Sequence, residues 1–384
     1  MVFIEGLGVV IAAGGIAYLL LAHYRLKRFA PAAPWPIVPP PPVSVLVPVH
    51  GLGPRLADCL GSVIRLAGSG RQLVFGLHHA EDPARPLIEA LIAGHPEADI
   101  TLIIDERRIG ANPKNCNLAN MLPAARHDIL VMIDDDVLVA PDLLEILLAS
   151  LAEPGVGAVT CLYQAAPEPG LAARLGALAI NDWFIPSVLV DLGRREMDLC
   201  YGAVIAIHRS ALDAIGGFAA MADAVAQDYV LGHALRRAGL RIRLAPTVVE
   251  TVVADPSLPA LLRHELRWSR AVRAVRPLDH ALSVFTFAEL PAGLLLLIGG
   301  PWRPALSALL LILALRLLLH SRLRQVFALP LPDPWLLPLR SALCFGVWGT
   351  AYAGRRVHWG DRVLVTRSGL TMQADNSKDG RAAP

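Results

Sequence analysis

Four short apolar runs, at residues 43–49, 73–77, 100–104 and 129–133, recur through the first third of the chain, and the last ends on Asp134, Asp135 and Asp136. Parallel strands covered on both faces read as unbroken apolar runs rather than alternating ones. Helices expected over 56–66, 85–93 and 114–122 fill the gaps between them. Strands alternating with helices in this way predict an α/β fold with a mostly parallel sheet. Ligands of such open sheets bind at the carboxyl edge of the strands, which is where the acidic trio falls.

Residues i and i+2 of a turn can reach one cation, so Asp134 and Asp136 are the candidate metal ligands. Hard carboxylate oxygens suit Mg2+ or Mn2+, and a pyrophosphate can complete the shell. Asp135 is expected to point away or to meet sugar hydroxyls. A solvated acidic turn is the plainer alternative, but three adjacent carboxylates repel, which favours a ligand. Asp228 stands at the mouth of a helix expected over 230–238. There a carboxylate can take a proton from a hydroxyl or simply cap the helix. Further on, Arg263, Arg267 and Arg270 share one helical face and His264 and Trp268 another. The arginines suit a diphosphate or lipid headgroups, and Trp268 suits an interfacial anchor or a stacking platform.

Composition adds a membrane. Of 384 residues 54% are hydrophobic and 18% charged, too apolar for an ordinary soluble domain. Residues 2–22 form an apolar run of spanning length, followed by Arg25, Lys27 and Arg28. Basic residues after the run argue for an anchor with the downstream chain in the cytoplasm. A proline-rich linker over 25–42 then leads to a catalytic block expected at 43–280. Apolar segments at 285–299 and 305–319 read as a helical hairpin, and 336–353 as a tilted or interfacial helix. Membrane helices are thus expected at 1–24 and within 281–354, with a polar tail at 355–384. Five cysteines, Cys59, Cys116, Cys161, Cys200 and Cys344, show no paired metal or redox spacing. A net charge of +2 gives no reason to expect a nucleic-acid partner.

In order and spacing these motifs resemble the family-two membrane glycosyltransferases and the related ceramide glucosyltransferases of family 21. The resemblance rests on Asp82 in the sequence Ala80-Glu81-Asp82-Pro83, on the trio Asp134–Asp135–Asp136, on Asp228, on His264-Glu265-Leu266-Arg267-Trp268, and on the segment 110–118 around Asn112-Pro113-Lys114. Phrases at 125–130, 157–163, 174–178 and 185–190 look like the hopanoid-biosynthesis-associated branch. The resemblance implies a GT-A-type nucleotide-sugar-binding domain carrying N- and C-terminal transmembrane helices in a bacterial inner membrane. It also implies transfer of N-acetylglucosamine from its UDP donor to bacteriohopanetetrol, a lipid acceptor. Ceramide or another glycolipid is the alternative acceptor, and a membrane protein that only binds nucleotide sugars is the non-enzymatic one. Carried over, Pro48, Asp82, Lys114, Asp134 and Asp135 bind the donor. Asp134 and Asp136 bind Mg2+ or Mn2+, Asp228 is the general base, and His264, Arg267 and Trp268 hold the diphosphate and acceptor end. Lys114 opens a helix, where the dipole disfavours a cation, and that misplacement favours function. Two departures stand out: His264 replaces the family's Gln or Arg, and His78-His79 replaces Gln-Asp. Asn181-Asp182-Trp183-Phe184 is a candidate for the acceptor side that no chemistry demands.

Overall fold

The N-terminal apolar run forms α1 (Val2–Arg28), with Arg25, Lys27 and Arg28 in its last turn, where the helix dipole favours cations. The structure, a computed structural model, describes residues 2–29, 41–194, 196–224, 226–298, 302–329, 333–354, 356–359, 362–366 and 372–374. Most of the proline-rich linker and the end of the tail fall outside these. The chain divides into two units, residues 31–163, 197–252 and 364–384 in one, and 1–30, 164–196 and 253–363 in the other. The continuous block expected at 43–280 is therefore interrupted: segments 164–196 and 253–280 belong with the terminal helices.

The first unit is built on a sheet. Its elements begin β1 (Val43–Pro48), α2 (Leu56–Ile64), β2 (Arg71–Leu77), α3 (Arg85–Ala93), β3 (Ile100–Ile104), α4 (Pro113–Met121) and β4 (Ile129–Ile133). They continue with β5 (Val137–Leu138), α5 (Leu143–Leu151) and β6 (Val156–Pro167). After α6 (Leu171–Leu178) and α7 (Ile185–Leu192), which lie in the other unit, come β7 (Val204–His208), α8 (Arg209–Ala214), α9 (Gln227–Arg237) and β8 (Arg241–Val253). Strand order is β3-β2-β1-β4-β7-β6-β8-β5. The strands β3, β2, β1 and β4 run parallel, as their apolar runs predict, and β7 reverses against β4. Alternate side chains serve two cores. Val45, Val47, Phe75, Val131 and Ile133 meet Leu60 of α2 and Leu147 of α5 on one face. Leu46, Val74, Leu130 and Met132 meet Leu118 of α4 and Leu231 of α9 on the other. Each such buried side chain contributes about 1.5–3 kcal/mol, so both faces hold the strand ends still.

The second unit is helical: α1, α6, α7, α10 (Leu258–Val275), α11 (Pro277–Leu282), α12 (Glu289–Leu297), α13 (Trp302–Phe327) and α14 (Leu337–Ala351). Three stretches are long and apolar enough to cross a membrane, Gly6–Arg28, Leu171–Leu192 and Trp302–Phe327. The hairpin expected over 285–299 and 305–319 takes another form. A 3-10 turn (Ser283–Phe287) and the nine-residue α12 replace its first arm, and nine residues rise only about 14 Å. The second arm lies inside α13. The 336–353 segment is the fifteen-residue α14.

The stretch Leu171–Leu192 is a helix of spanning length that the sequence hid, because Asn181, Asp182 and Pro186 interrupt its apolar pattern. Proline has no N–H and its ring crowds the carbonyl four residues back, which here is that of Asp182. The helix responds with a π turn over Ala179–Phe184, and Arg316 Nη1 reaches the Asp182 carbonyl at 3.4 Å. Arg316 and Arg340 are 2% and 1% exposed. Arg316 pairs with Glu289 at 2.7 Å, whose other oxygen accepts from Ser341. Arg340 grips Glu265 through two bonds of 2.6 Å, tying α14 to α10. Small residues let helices close up: a Cβ on Gly15 would stand 2.1 Å from that of Ala288.

Candidate active site

The trio occupies the turn between β4 and β5. Asp134 N–H donates to the Ala203 carbonyl beside β7, Val137 N–H donates to the Asp134 carbonyl, and Val252 N–H of β8 donates to that of Asp136. Three strands thus fix the backbone that carries the carboxylates. Asp135 turns to β1: its carboxylate accepts from His50 N–H at 3.0 Å. Asp82 serves the same loop, accepting from Gly51 N–H with both oxygens at 3.1 Å and from Ala84 N–H at 2.9 Å. Pro48 closes β1 in register with Gly76. These residues shape the rim of the sheet edge.

Lys114 reaches the centre because asparagines hold its helix. Asn112 caps α4 by accepting from Asn115 N–H, and its side-chain amide donates to the Ala224 carbonyl. Asn115 donates to the Met221 carbonyl, Asn117 to that of Gly76, and Asn120 to those of Asp105 and Arg107. Gly110 permits the approach, since a Cβ there would lie 2.5 Å from Ala222 Cβ. Lys114 Nζ forms an ion pair with Asp134 and donates to the Gly202 carbonyl at 3.2 Å. Burial works against its charge, but Asp134, aided by Asp228 and Asp136, outweighs it and lifts the ammonium above its ordinary range. Asp228, in the first turn of α9, accepts from Tyr229 N–H at 2.9 Å. Its Oδ2 lies 3.4 Å from where a Cβ on Gly202 would stand, so it flanks the carbonyl that Lys114 engages. Burial raises the Asp228 carboxyl above its ordinary value, with Lys114 opposing and Asp134 adding to the rise.

Two tyrosines complete this centre, and sequence reasoning passed over both. Tyr163 ends the apolar part of β6 and Tyr201 precedes Gly202. Thr160 holds Tyr201 by bonds of 2.8 Å in both directions. Burial, then the charge of Asp228, pushes the Tyr163 hydroxyl above its usual range, so it stays protonated beside the carboxylates. A tyrosine following a buried strand was the available signal. The two histidines diverge. His78 contacts the Pro113 carbonyl at 2.8 Å and that of Asp105 at 3.3 Å, while His79 lies 3.3 Å from Glu106.

The carboxylates have unequal surroundings. Asp135 is pushed to about 6 by burial, against the His50 N–H and with Asp134 repelling. Asp136, open to solvent on one side, reaches about 7 through burial and then the charges of Asp134 and Asp135. Among the described residues no three His, Cys, Asp or Glu converge to hold a metal ion. Lys114 occupies one oxygen of Asp134, which leaves its second oxygen and Asp136. One or two carboxylates with substrate phosphates and water are a common Mg2+ arrangement, so the donor set fits such a cation. Repulsion within the trio also costs stability. Asp136→Asn is expected to raise Tm by about 1–3 °C at pH 8, for roughly 1 kcal/mol after solvent screening. The unfolded carboxyl ionises near pH 4, so the gain should be small there, grow up to about pH 7 and then level off. Thermal melts across this pH range check it, and a variant less stable at pH 8 overturns it.

His264, Arg267 and Trp268 lie in the other unit, on α10, whose cap Ser257 accepts from Ala260 N–H. The His264 and Trp268 rings meet edge-on at 4.3 Å, His264 Nδ1 lies 3.5 Å from Asp255, and Arg267 sits 6.0 Å from the Trp268 ring centre. Burial draws the Arg267 guanidinium below its ordinary value, opposed by Asp255. Glu265, between them in sequence, is spent on Arg340. The motif therefore combines a structural anchor with an aromatic and cationic surface.

The model of glycosyl transferase family 21 matches residues 7–372. The chain belongs to that family. Ceramide glucosyltransferase 1 of Caenorhabditis elegans is 23% identical over 239 residues, covering 62% of this chain and 51% of that protein. Ceramide glucosyltransferase of Candida albicans is 31% identical over 115 residues, covering 27% and 21%. The chain thus spans about half the length, or less, of these family-21 relatives. A mannosyltransferase from Pyrobaculum calidifontis, solved in complex with GDP-Man and Mn2+, superposes with a TM-score of 0.56 at 21% identity over 91% of this chain and 99% of that one. That likeness gives the family-21 chain a GT-A-type fold.

Proposed function

We propose that this chain transfers a sugar from a UDP-sugar to a hydroxyl of a membrane lipid, with inversion at the anomeric carbon. The observation that carries the reading is Lys114, fixed by its asparagine helix, joined to Asp134 with Asp228 alongside. A cation and a base then stand together at the carboxyl edge of the sheet. Asp228 takes the proton of the attacking hydroxyl, and its raised affinity for protons suits it to do so. Lys114 holds Asp134 in place and offsets negative charge near the donor phosphates. Pro48, Asp82 and Asp135 shape the donor loop after β1. Asp134 and Asp136 would hold Mg2+ or Mn2+, which would neutralise charge growing on the departing diphosphate. His264, Arg267 and Trp268 serve the diphosphate and acceptor end. EDTA is expected to abolish transfer, and Mg2+ or Mn2+ to restore it. Full turnover in chelator would remove the metal from the mechanism.

Three spanning-length helices support a lipid acceptor at a membrane; a bacterial inner membrane is the proposed one, and the basic last turn of α1 favours the cytoplasm for the chain that follows it. N-acetylglucosamine and bacteriohopanetetrol are the proposed sugar and acceptor. The names of the family-21 relatives favour a second reading, glucose and ceramide, at least as well. Purified protein given a panel of UDP-sugars, with bacteriohopanetetrol or ceramide, separates the two by product mass. UDP-sugar binding without product from any pairing overturns the transferase reading.

A further inference from the structure

Within the helical unit, a small pocket of about 40 Å³ opens between the π turn and the end of α13. Its lining includes Asp182 and His320, with Arg174, Arg324 and Asp333. Both Asp182 and His320 sit in stretches of membrane-spanning length and are 2% and 4% exposed. Their side chains are joined, Asp182 Oδ1 to His320 Nδ1, at 2.8 Å. With Nδ1–H donating to the Asp182 carboxylate, the single-proton tautomer of the ring has Nε2 as an acceptor. Nε2 is buried and has no hydrogen-bond partner among the described residues. A buried acceptor without a donor is unfavourable, and ionisable side chains inside a spanning segment usually mark function.

The local structure is built to present this atom. Pro186 forces the π turn, and π turns recur at functional sites. Asn181 bonds the Ala165 backbone in both directions, which fixes the turn. Arg324 lies one helical turn, about 6 Å, beyond His320 along α13, and Arg174 pairs with Asp333, so charged groups share the lining with His320.

We infer that this pocket binds a hydroxyl of an amphipathic lipid, with His320 Nε2 accepting the O–H and Asp182 holding the ring. The inference deepens the lipid-acceptor reading and shares its premise of a membrane lipid. The chemistry is that of a lipid hydroxyl, whether it belongs to the acceptor or to a second lipid.

The probe is a hexadecane vicinal diol against its dimethyl ether, with protein in phosphatidylcholine nanodiscs. Wild type should bind the diol about tenfold more tightly, the worth of one buried hydrogen bond. His320→Asn keeps a donor for Asp182 and removes the Nε2 position, so it should lose that preference. A purely structural pair would leave the preference unchanged in this variant. Should the variant fail to fold, the wild-type comparison still decides, because equal binding of diol and ether overturns the site. No sugar donor is present, so failure of the transferase reading leaves this measurement intact. In a turnover assay, competition between diol and acceptor assigns the pocket to the acceptor. Altered turnover without competition assigns it to a second lipid, and either result upholds the site.

Discussion

Asp228→Asn should lower kcat by about 10²–10⁴-fold, the range for loss of a general base, while UDP-sugar binding stays near its original affinity. The carboxylate is one atom's exchange from the amide, so packing against Gly202 and the bond from Tyr229 N–H survive. Titration calorimetry with the UDP-sugar and single-turnover product formation separate the two quantities. Turnover within a few-fold of wild type would remove Asp228 from the base role. The pH profile carries the same assignment. A base must be ionised, and burial raises the Asp228 pKa, so kcat should fall with decreasing pH along a limb above the ordinary carboxylate range. Lys114 lowers that pKa. Lys114→Met should therefore move the limb to still higher pH in whatever activity remains. A limb that stays put would separate Lys114 from the base.

Arg316→Leu should destabilise the helical unit by about 3–5 kcal/mol, the cost of breaking one side of a buried ion pair. The loss leaves Glu289 bonded to the Ser341 hydroxyl without its guanidinium and strips donors from the Asp182 and Thr286 carbonyls. Glu289→Leu should cost a similar amount for the converse reason. Replacing both with leucine should recover most of the loss, because no uncompensated charge remains. Thermal unfolding in detergent reads all three. The exposed pair Arg243–Glu153 supplies the contrast: exposed ion pairs are worth only about 0–1 kcal/mol. If Arg316→Leu costs no more than Arg243→Leu, the buried pair is not a cornerstone of the unit.

Much of the sheet was legible because local forces decide it. Residues 85–93, 100–104 and 129–133 were expected as helix, strand and strand, and α3, β3 and β4 have those bounds. Apolar runs of about five residues between helical stretches fit strands of a covered parallel sheet. The placement of the trio after β4 followed from the same logic. Domain limits were less legible. Leu171–Leu192 carries Asn181, Asp182 and Pro186, which in a linear reading look like soluble helix and loop. Partners distant in sequence, Arg316 and His320, make Asp182 tolerable inside a helix bundle, and the Ala165 backbone satisfies Asn181.

By itself the sequence determined the strand–helix alternation, the acidic trio at a strand end and the apolar first helix, since each depends on residues within one turn or strand of each other. Tertiary structure decided the rest. It assigned Lys114 to Asp134, put Tyr163 and Tyr201 near Asp228, and spent Asp82 on the loop after β1. It gave His264 and Trp268 to a helix of the other unit and joined Asp182 to His320 across 138 residues. Such pairings have no local signature, because burial and charge select partners by distance in space.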